Sequence, residues 1–208
     1  MSTDDTTLYA HWSGGDRHAG EALVRRHLPG IARFFANKVL RRADRGDLTS
    51  RTFEICARSL GEFRDEGSFR SYLYGIARNV LRDYLKALQR KPDMTPLEDA
   101  SLAELTRSPS MRMAEAESRQ LLLLALRAIP LHAQIVVELS LFEELTRGEI
   151  AEILDVPEGT VASRLRRGKR DLERELQALS ESEAQLENTL DSITAWRQRM
   201  RLMLDEAS

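Results

Sequence analysis

Apolar residues recur along this chain at intervals of three and four, and nowhere in sustained alternation, so the pattern predicts helices and no sheet. Ala19, Ala22, Leu23 and Leu28 mark a first helix over about 19–27, and Pro29 suits the first turn of the next, whose apolar face is Ile31, Phe34, Phe35 and Val39. Residues 1–7 are polar and are expected to fray. Gly46 and Asp47 read as a turn and a cap, followed by a helix with Leu48, Phe53, Ile55, Cys56, Ala57 and Leu60, ending near Gly61. After a polar loop, Ser68 or Phe69 opens a strongly patterned helix to about Arg90, with Leu73, Ile76, Ala77, Val80, Leu81, Tyr84 and Leu88 on its buried side. Prolines at 92, 96 and 109 and a shortage of apolar residues make 91–110 a linker. Helix resumes over 111–128, where Leu121–Leu124 is expected to be buried throughout. Another begins after Pro130, and its Ile135, Val136, Leu139 and Phe142 would pack beneath the helices of 146–172.

The stretch 146–172, TRGEIAEILDVPEGTVASRLRRGKRDL, predicts two helices around a short turn. Thr146 and Glu149 have capping-box spacing, and Ile150, Ile153 and Leu154 form one apolar face. Pro157 cannot continue that helix, and it pushes Val156 towards extended geometry. In the second helix Val161, Leu165 and Leu172 point inward, leaving Thr160, Ser163, Arg164, Arg166, Arg167, Lys169 and Arg170 outside. This is the layout of a helix-turn-helix whose second helix enters a major groove; the plain alternative is a basic amphipathic helix on any helical protein. On the earlier helix Arg78, Arg82, Lys86 and Arg90 make a basic stripe near Tyr72, Tyr74 and Asn79. Cations beside aromatics suit a single strand, whose bases stack on rings; a solvated charged face is the alternative.

From Leu165 a seven-residue repeat continues through Leu172, Leu179, Leu186, Ile193 and Met200, with Leu176, Leu190 and Leu204 at a second position that Glu183 and Arg197 interrupt. The extension 176–208 is therefore expected to be helical and to dock on its own domain, pair with a second copy or bind a regulator.

Composition sharpens this picture. The 208 residues, 42% hydrophobic and 31% charged, suit a soluble helical protein. Net charge is −2, so any nucleic acid must be held by local basic patches. Cys56 is the single cysteine, which excludes an intrachain disulfide and reads as an inert core thiol. His11, His18, His27 and His132 lack metal-ligand spacing, and no phosphate loop or nucleophile motif appears, so neither a metal, a cofactor nor catalysis is expected. No apolar run reaches bilayer length and the N-terminal stretch is not a secretory signal, which makes the cytoplasm the default location.

Taken together, the two halves resemble the extracytoplasmic-function sigma factors, small two-domain members of the bacterial sigma-70 family, over about residues 15–175. The resemblance rests on Gly-Ile-Ala-Arg-Asn at 75–79, Glu-Ile-Ala-Glu-Ile-Leu at 149–154 and Gly-Thr-Val-Ala-Ser-Arg-Leu at 159–165. It implies an all-α fold with a region 2-like domain over 15–90, a linker over 91–110, a region 4-like helix-turn-helix domain over 111–175 and the extension over 176–208. It further implies that the chain binds RNA polymerase core, directs it to promoters and assists melting. Asp47, Leu48, Arg51 and Phe53 would contact the polymerase. Arg64, Ser68, Phe69, Arg70, Tyr72, Tyr74, Arg78, Asn79 and Arg82 would hold the melted −10 strand, and the outward residues of 160–170 the −35 duplex. An anti-sigma factor is a further partner the resemblance allows, and self-association through the extension another. Two departures stand out: the family's Asp-Leu-Val-Gln-Glu is here Asp47-Leu48-Thr49-Ser50-Arg51, a cation in place of an acid, and Glu144 stands where glycine is common. The rival readings are a stand-alone helix-turn-helix regulator and an adaptor that binds polymerase without reading a promoter.

Overall fold

The computed structural model describes residues 4–63, 68–88 and 114–179. Within them the chain is all-helical: α1 Asp5–Ser13, α2 Arg17–Ala36, α3 Arg42–Arg58, α4 Phe69–Leu88, α5 Ala114–Ala128, α6 Leu131–Leu141, α7 Arg147–Leu154 and α8 Glu158–Leu179. The 91–110 linker and the extension beyond Leu179 lie outside the described residues. The chain forms two compact units, Met1–Arg90 with Gly148–Val156, and Lys91–Arg147 with Pro157–Ser208.

In the first unit α2 packs on α1, α3 and α4. Residues 5–7 are not frayed, and 1–3 lie outside the described residues: α1 buries Leu8 and Tyr9, and Asp5 pairs with Arg26 and, at 2.8 Å, with His27 Nε2. Short-range pattern hid this helix because its partners lie 21 and 22 residues away. The two helices expected around Pro29 are one, with the proline inside α2. Its missing N–H and ring clash cost a helix interior about 3 kcal/mol. Burial on both sides offsets that cost, because Ala19, Gly20 and Leu23 before Pro29 and Gly30, Ile31, Phe34 and Phe35 after it belong to one continuous stripe. Leu28, off that stripe, is exposed. Nor do Gly46 and Asp47 make a turn; they lie within α3, which begins at Arg42. Tyr84 Oη donates to Asp44 Oδ2 at 2.7 Å, tying α4 to α3. In α4 the buried stripe runs through Leu73, Ile76, Ala77, Val80 and Leu81 as predicted, then takes Leu85, leaving the terminal Leu88 exposed.

In the second unit α8 packs across α6 and α5. Buried along nearly its whole length, α6 is the central helix. Its Ala133, Val137 and Leu141 meet Leu172 and Leu176 of α8 and Leu122, Ala125 and Leu126 of α5 in one core. Of the expected Ile135, Val136, Leu139 and Phe142, Phe142 joins this core and the other three are buried as well. Of Leu121–Leu124 only Leu122 is fully buried, and Leu124 is exposed, because four consecutive helix positions point in four directions.

Candidate nucleic-acid interface

The turn between α7 and α8 sets up the basic helix. Asp155 takes a left-handed φ of 51°; its N–H donates to Glu152 O at 3.2 Å, and that of Val156 to Ala151 O at 3.1 Å. These two bonds are the Schellman closure, which satisfies the last carbonyls of α7. Pro157 O then accepts the N–H groups of Thr160 at 2.9 Å and Val161 at 3.3 Å, starting α8.

Val161, Gly168, Leu172 and Leu176 are the buried positions of α8. Ser163, Arg166, Arg167 and Arg170 are exposed, and Thr160, Arg164 and Lys169 are half-buried at the edges of the polar face. Five cations stand between 164 and 170 without an acid among them. Among the described residues the ion pairs of α8 belong to Arg174, with Asp171 at 3.1 Å and Glu175 at 3.2 Å, one turn beyond this run. Ser163 Oγ donates back to Thr160 O at 2.9 Å, which leaves its lone pairs outward as an acceptor. The face therefore concentrates positive charge that the whole chain, at −2, does not show.

On α4, Ser68 caps the helix: its Oγ accepts the Ser71 N–H at 3.1 Å. Asn79 and Arg82 are exposed, and Arg70, Tyr72 and Arg78 half-buried. Arg82 lies 3.9 Å from Asp83. Phe69 and Tyr74 are corrections: each is only 2% exposed, so neither offers a ring to a base. Phe69 sits among Tyr9, His27 and Phe63, and Tyr74 meets Phe34 edge-on at 5.8 Å. Phe69 shares the apolar stripe with Leu73 and Ile76, and Tyr74 flanks it, its large apolar area carrying it inside. The Tyr72 hydroxyl is 2.5 Å from Ser59 Oγ, and burial pushes its pKa up. Arg64 and Arg90 lie outside the described residues.

The α3 segment divides similarly. Asp47 and Arg51 are exposed one turn apart and Phe53 is half-buried, whereas Leu48 is buried and serves the core. Thr49 and Thr52 donate to Arg45 O and Leu48 O, both at 2.8 Å, and so turn their hydroxyls onto their own helix. Cys56 is fully buried, and desolvation pushes its thiol up to about 12, which removes thiolate chemistry at neutral pH.

Sequence reasoning passed over two residues that shape these faces. A Cβ on Gly168 would stand 2.8 Å from Val137 Cγ2 and 3.3 Å from Ala133 Cβ, so glycine is what lets α8 lie close on α6. A glycine opposite small α6 side chains was the available signal. The other is Tyr9, for which the sequence carries no signal, because its partners are contributed by distant elements.

Two family models match: Sigma-70 region 2 over residues 23–91, spanning most of α2 through α4, and Sigma-70, region 4 over 119–172, spanning α5 into α8. An "ECF RNA polymerase sigma-E factor" of Haemophilus influenzae is 30% identical over 183 residues, covering 84% of this chain and 96% of that protein. The chain belongs to the extracytoplasmic-function (ECF) sigma factors of the sigma-70 family. The Escherichia coli K12 protein of the same name is 28% identical over 184 residues, covering 84% of this chain and 95% of its own length. CnrH, solved in complex with the cytosolic domain of CnrY, shares the fold with a TM-score of 0.63 at 22% identity, over 85% of this chain and 99% of that one. As an ECF sigma factor the chain binds RNA polymerase core and promoter DNA and directs the polymerase to promoters for initiation. Among the described residues, no helix is long and apolar enough to cross a membrane.

Proposed function

We propose a division of labour among three surfaces of this sigma factor. The outer face of α8, with Thr160, Ser163, Arg164, Arg166, Arg167, Lys169 and Arg170, holds the −35 duplex. The polar face of α4, with Ser68, Arg70, Tyr72, Arg78, Asn79 and Arg82, together with Arg64, holds the melted −10 strand, and Phe69 and Tyr74 are its scaffold. Asp47, Arg51 and Phe53 of α3 meet the polymerase, with Leu48 behind them. The observation that carries this reading is the acid-free run of five cations on the outer face of the helix after a tight turn. Phosphate contacts there set register and base-edge contacts set sequence. On α4 each stacked base contributes about 1–3 kcal/mol, but Tyr72 is the one ring of this face still partly open, so cations and Asn79 take more of the load.

Chemistry belongs to the polymerase; this chain supplies binding energy and acts where the polymerase is, in the cytoplasm. A protein partner of the anti-sigma kind is also proposed, after CnrH, which was solved with the cytosolic domain of CnrY. Reconstituted holoenzyme tests the division. Arg164→Ala and Arg167→Ala are expected to weaken binding to an upstream-element duplex, each lowering the salt slope by about 1, while Asn79→Ala docks normally and loses permanganate reactivity at the −10 thymines. Equal effects of all three variants on docking and opening would refute the assignment.

A further inference from the structure

The helix α1 lies outside the region 2 match and carries none of the residues assigned to DNA or polymerase. Yet it is firmly held. Asp5 pairs with Arg26 and His27 of α2, and the Trp12 indole lies over Gly20, where a Cβ would come within 2.5 Å of Nε1. From this base Tyr9 reaches the connection between α3 and α4. Its hydroxyl accepts the Gly61 N–H at 2.8 Å and lies 3.5 Å from Ser59 O. Gly61 has a left-handed φ of 98°, so the tyrosine hydroxyl partners a backbone N–H at the point where the chain reverses after α3. The Tyr9 ring meets Phe63 edge-on at 5.0 Å and Phe69 at 5.5 Å. Phe63 in turn packs on Tyr72 at 5.4 Å, and Tyr72 Oη lies 2.5 Å from Ser59 Oγ. Residues 59–63 and 68–72 are thereby tied to each other on both sides of residues 64–67, with Tyr9 bonded to one side and packed on both.

We propose that Tyr9 is a positioning residue for promoter opening: it fixes the end of the α3–α4 connection against the first turn of α4, so that the strand-holding face is set before DNA arrives. Tyr9 is 6% exposed and touches no DNA itself. Its effect is pre-organisation, since an α4 face whose first turn is already fixed loses less freedom when it takes up a strand. The inference rests on the reading of α4 as the opening face.

Two variants of the full chain in reconstituted holoenzyme test it. Tyr9→Phe keeps the ring and removes the acceptor for Gly61; Tyr9→Leu removes the ring contacts as well. Permanganate reactivity of the −10 thymines is compared with upstream-duplex binding, thermal unfolding and transcription from a template already mismatched at −10. For Tyr9→Phe the expected result is an opening rate reduced about fivefold, the value of one hydrogen bond. Upstream docking stays at the wild-type value, the unfolding temperature falls by no more than the loss of that one hydrogen bond implies, and transcription returns to normal on the pre-opened template. Tyr9→Leu, which also empties part of the core, is expected to lose more opening and to unfold at a lower temperature, with upstream docking and the pre-opened template still at wild-type values. A merely structural residue would lower transcription from the closed and the pre-opened template alike, and that result overturns the proposal. Asn79→Ala separates the two levels: if it opens normally, the reading of α4 fails and this inference with it. If Asn79→Ala is impaired while Tyr9→Phe opens at the wild-type rate, the role of Tyr9 alone is refuted.

Discussion

Gly168→Ala offers a direct measure of how closely α8 must lie on α6. The added Cβ would stand 2.8 Å from Val137 Cγ2, 3.3 Å from Ala133 Cβ and 3.4 Å from Ala133 O. Carbon atoms in good contact are about 3.5–4.0 Å apart, so the methyl is too close by up to about an ångström. Neither neighbour can swing away: Val137 is fully buried and, being β-branched, is held to one rotamer on a helix, and Ala133 has no rotamer to change. The helices must separate instead, loosening the core around Leu126, Leu172 and Leu176. Overpacking of this kind costs about 1–3 kcal/mol. Replacing glycine by alanine inside a helix returns about 1 kcal/mol, so the net expectation is a loss of about 1 kcal/mol, rising to about 2. Gly46→Ala isolates the clash, because Gly46 lies within α3 and a Cβ there meets nothing within 4 Å. That variant receives the propensity gain alone, so the difference between the two is the packing cost. At about 1.4 kcal/mol per tenfold, it corresponds to roughly 5- to 150-fold in local opening. Amide exchange of the full chain is the suitable assay, since a chain with two compact units has no single unfolding free energy. Exchange should quicken in α6 and α8 for Gly168→Ala and slow in α3 for Gly46→Ala. Slower exchange in α8 of Gly168→Ala would show that the close approach is not required.

Glu144 sits at a left-handed φ of 54°, the conformation that explains why glycine suits this position, and Leu145 N–H then returns to Leu139 O at 3.0 Å. The left-handed region costs a side chain about 1–2 kcal/mol, so Glu144→Ala is expected to be less stable than Glu144→Gly, by about 1 kcal/mol once the freer unfolded chain of the glycine variant is counted, and equal amide exchange around 139–145 in the two variants would refute it. His27 is lowered from its usual 6.5 by burial, against the opposing pull of Asp5. The folded state therefore holds its proton less tightly than the unfolded one, so its contribution to stability is present above pH 6.5 and is lost as pH falls from there through the lowered folded value. Acidification from pH 7.5 to 5.5 should destabilise the first unit less in His27→Gln than in wild type, and identical pH slopes of amide exchange in α1 and α2 would contradict this.

Local physics is what a sequence states plainly, and it sufficed for much of this protein. The three-to-four spacing of Leu73, Ile76, Val80 and Leu81, the serine cap at 68 and the break at Asp155-Val156-Pro157 each involve neighbours within a turn or two, so α4, α7 and α8 were readable directly. The outward run of cations on α8 was readable for the same reason: once Val161, Leu172 and Leu176 face inward, helical geometry sends 163, 166, 167 and 170 out. Tertiary structure decided the rest, wherever a distant partner outweighed a local preference. Burial on either side of Pro29 carried α2 through a residue that ends most helices. Asp5 found its partners in α2 and turned a polar start into a docked helix. Tyr74 lies on the shoulder of the α4 stripe, where periodicity leaves a ring undecided between solvent and core, whereas Phe69, four residues before Leu73 and seven before Ile76, is in register with the stripe itself. The neighbouring ring of Phe34 drew Tyr74 inside, because an aromatic side chain gains more from burial than a shoulder position costs.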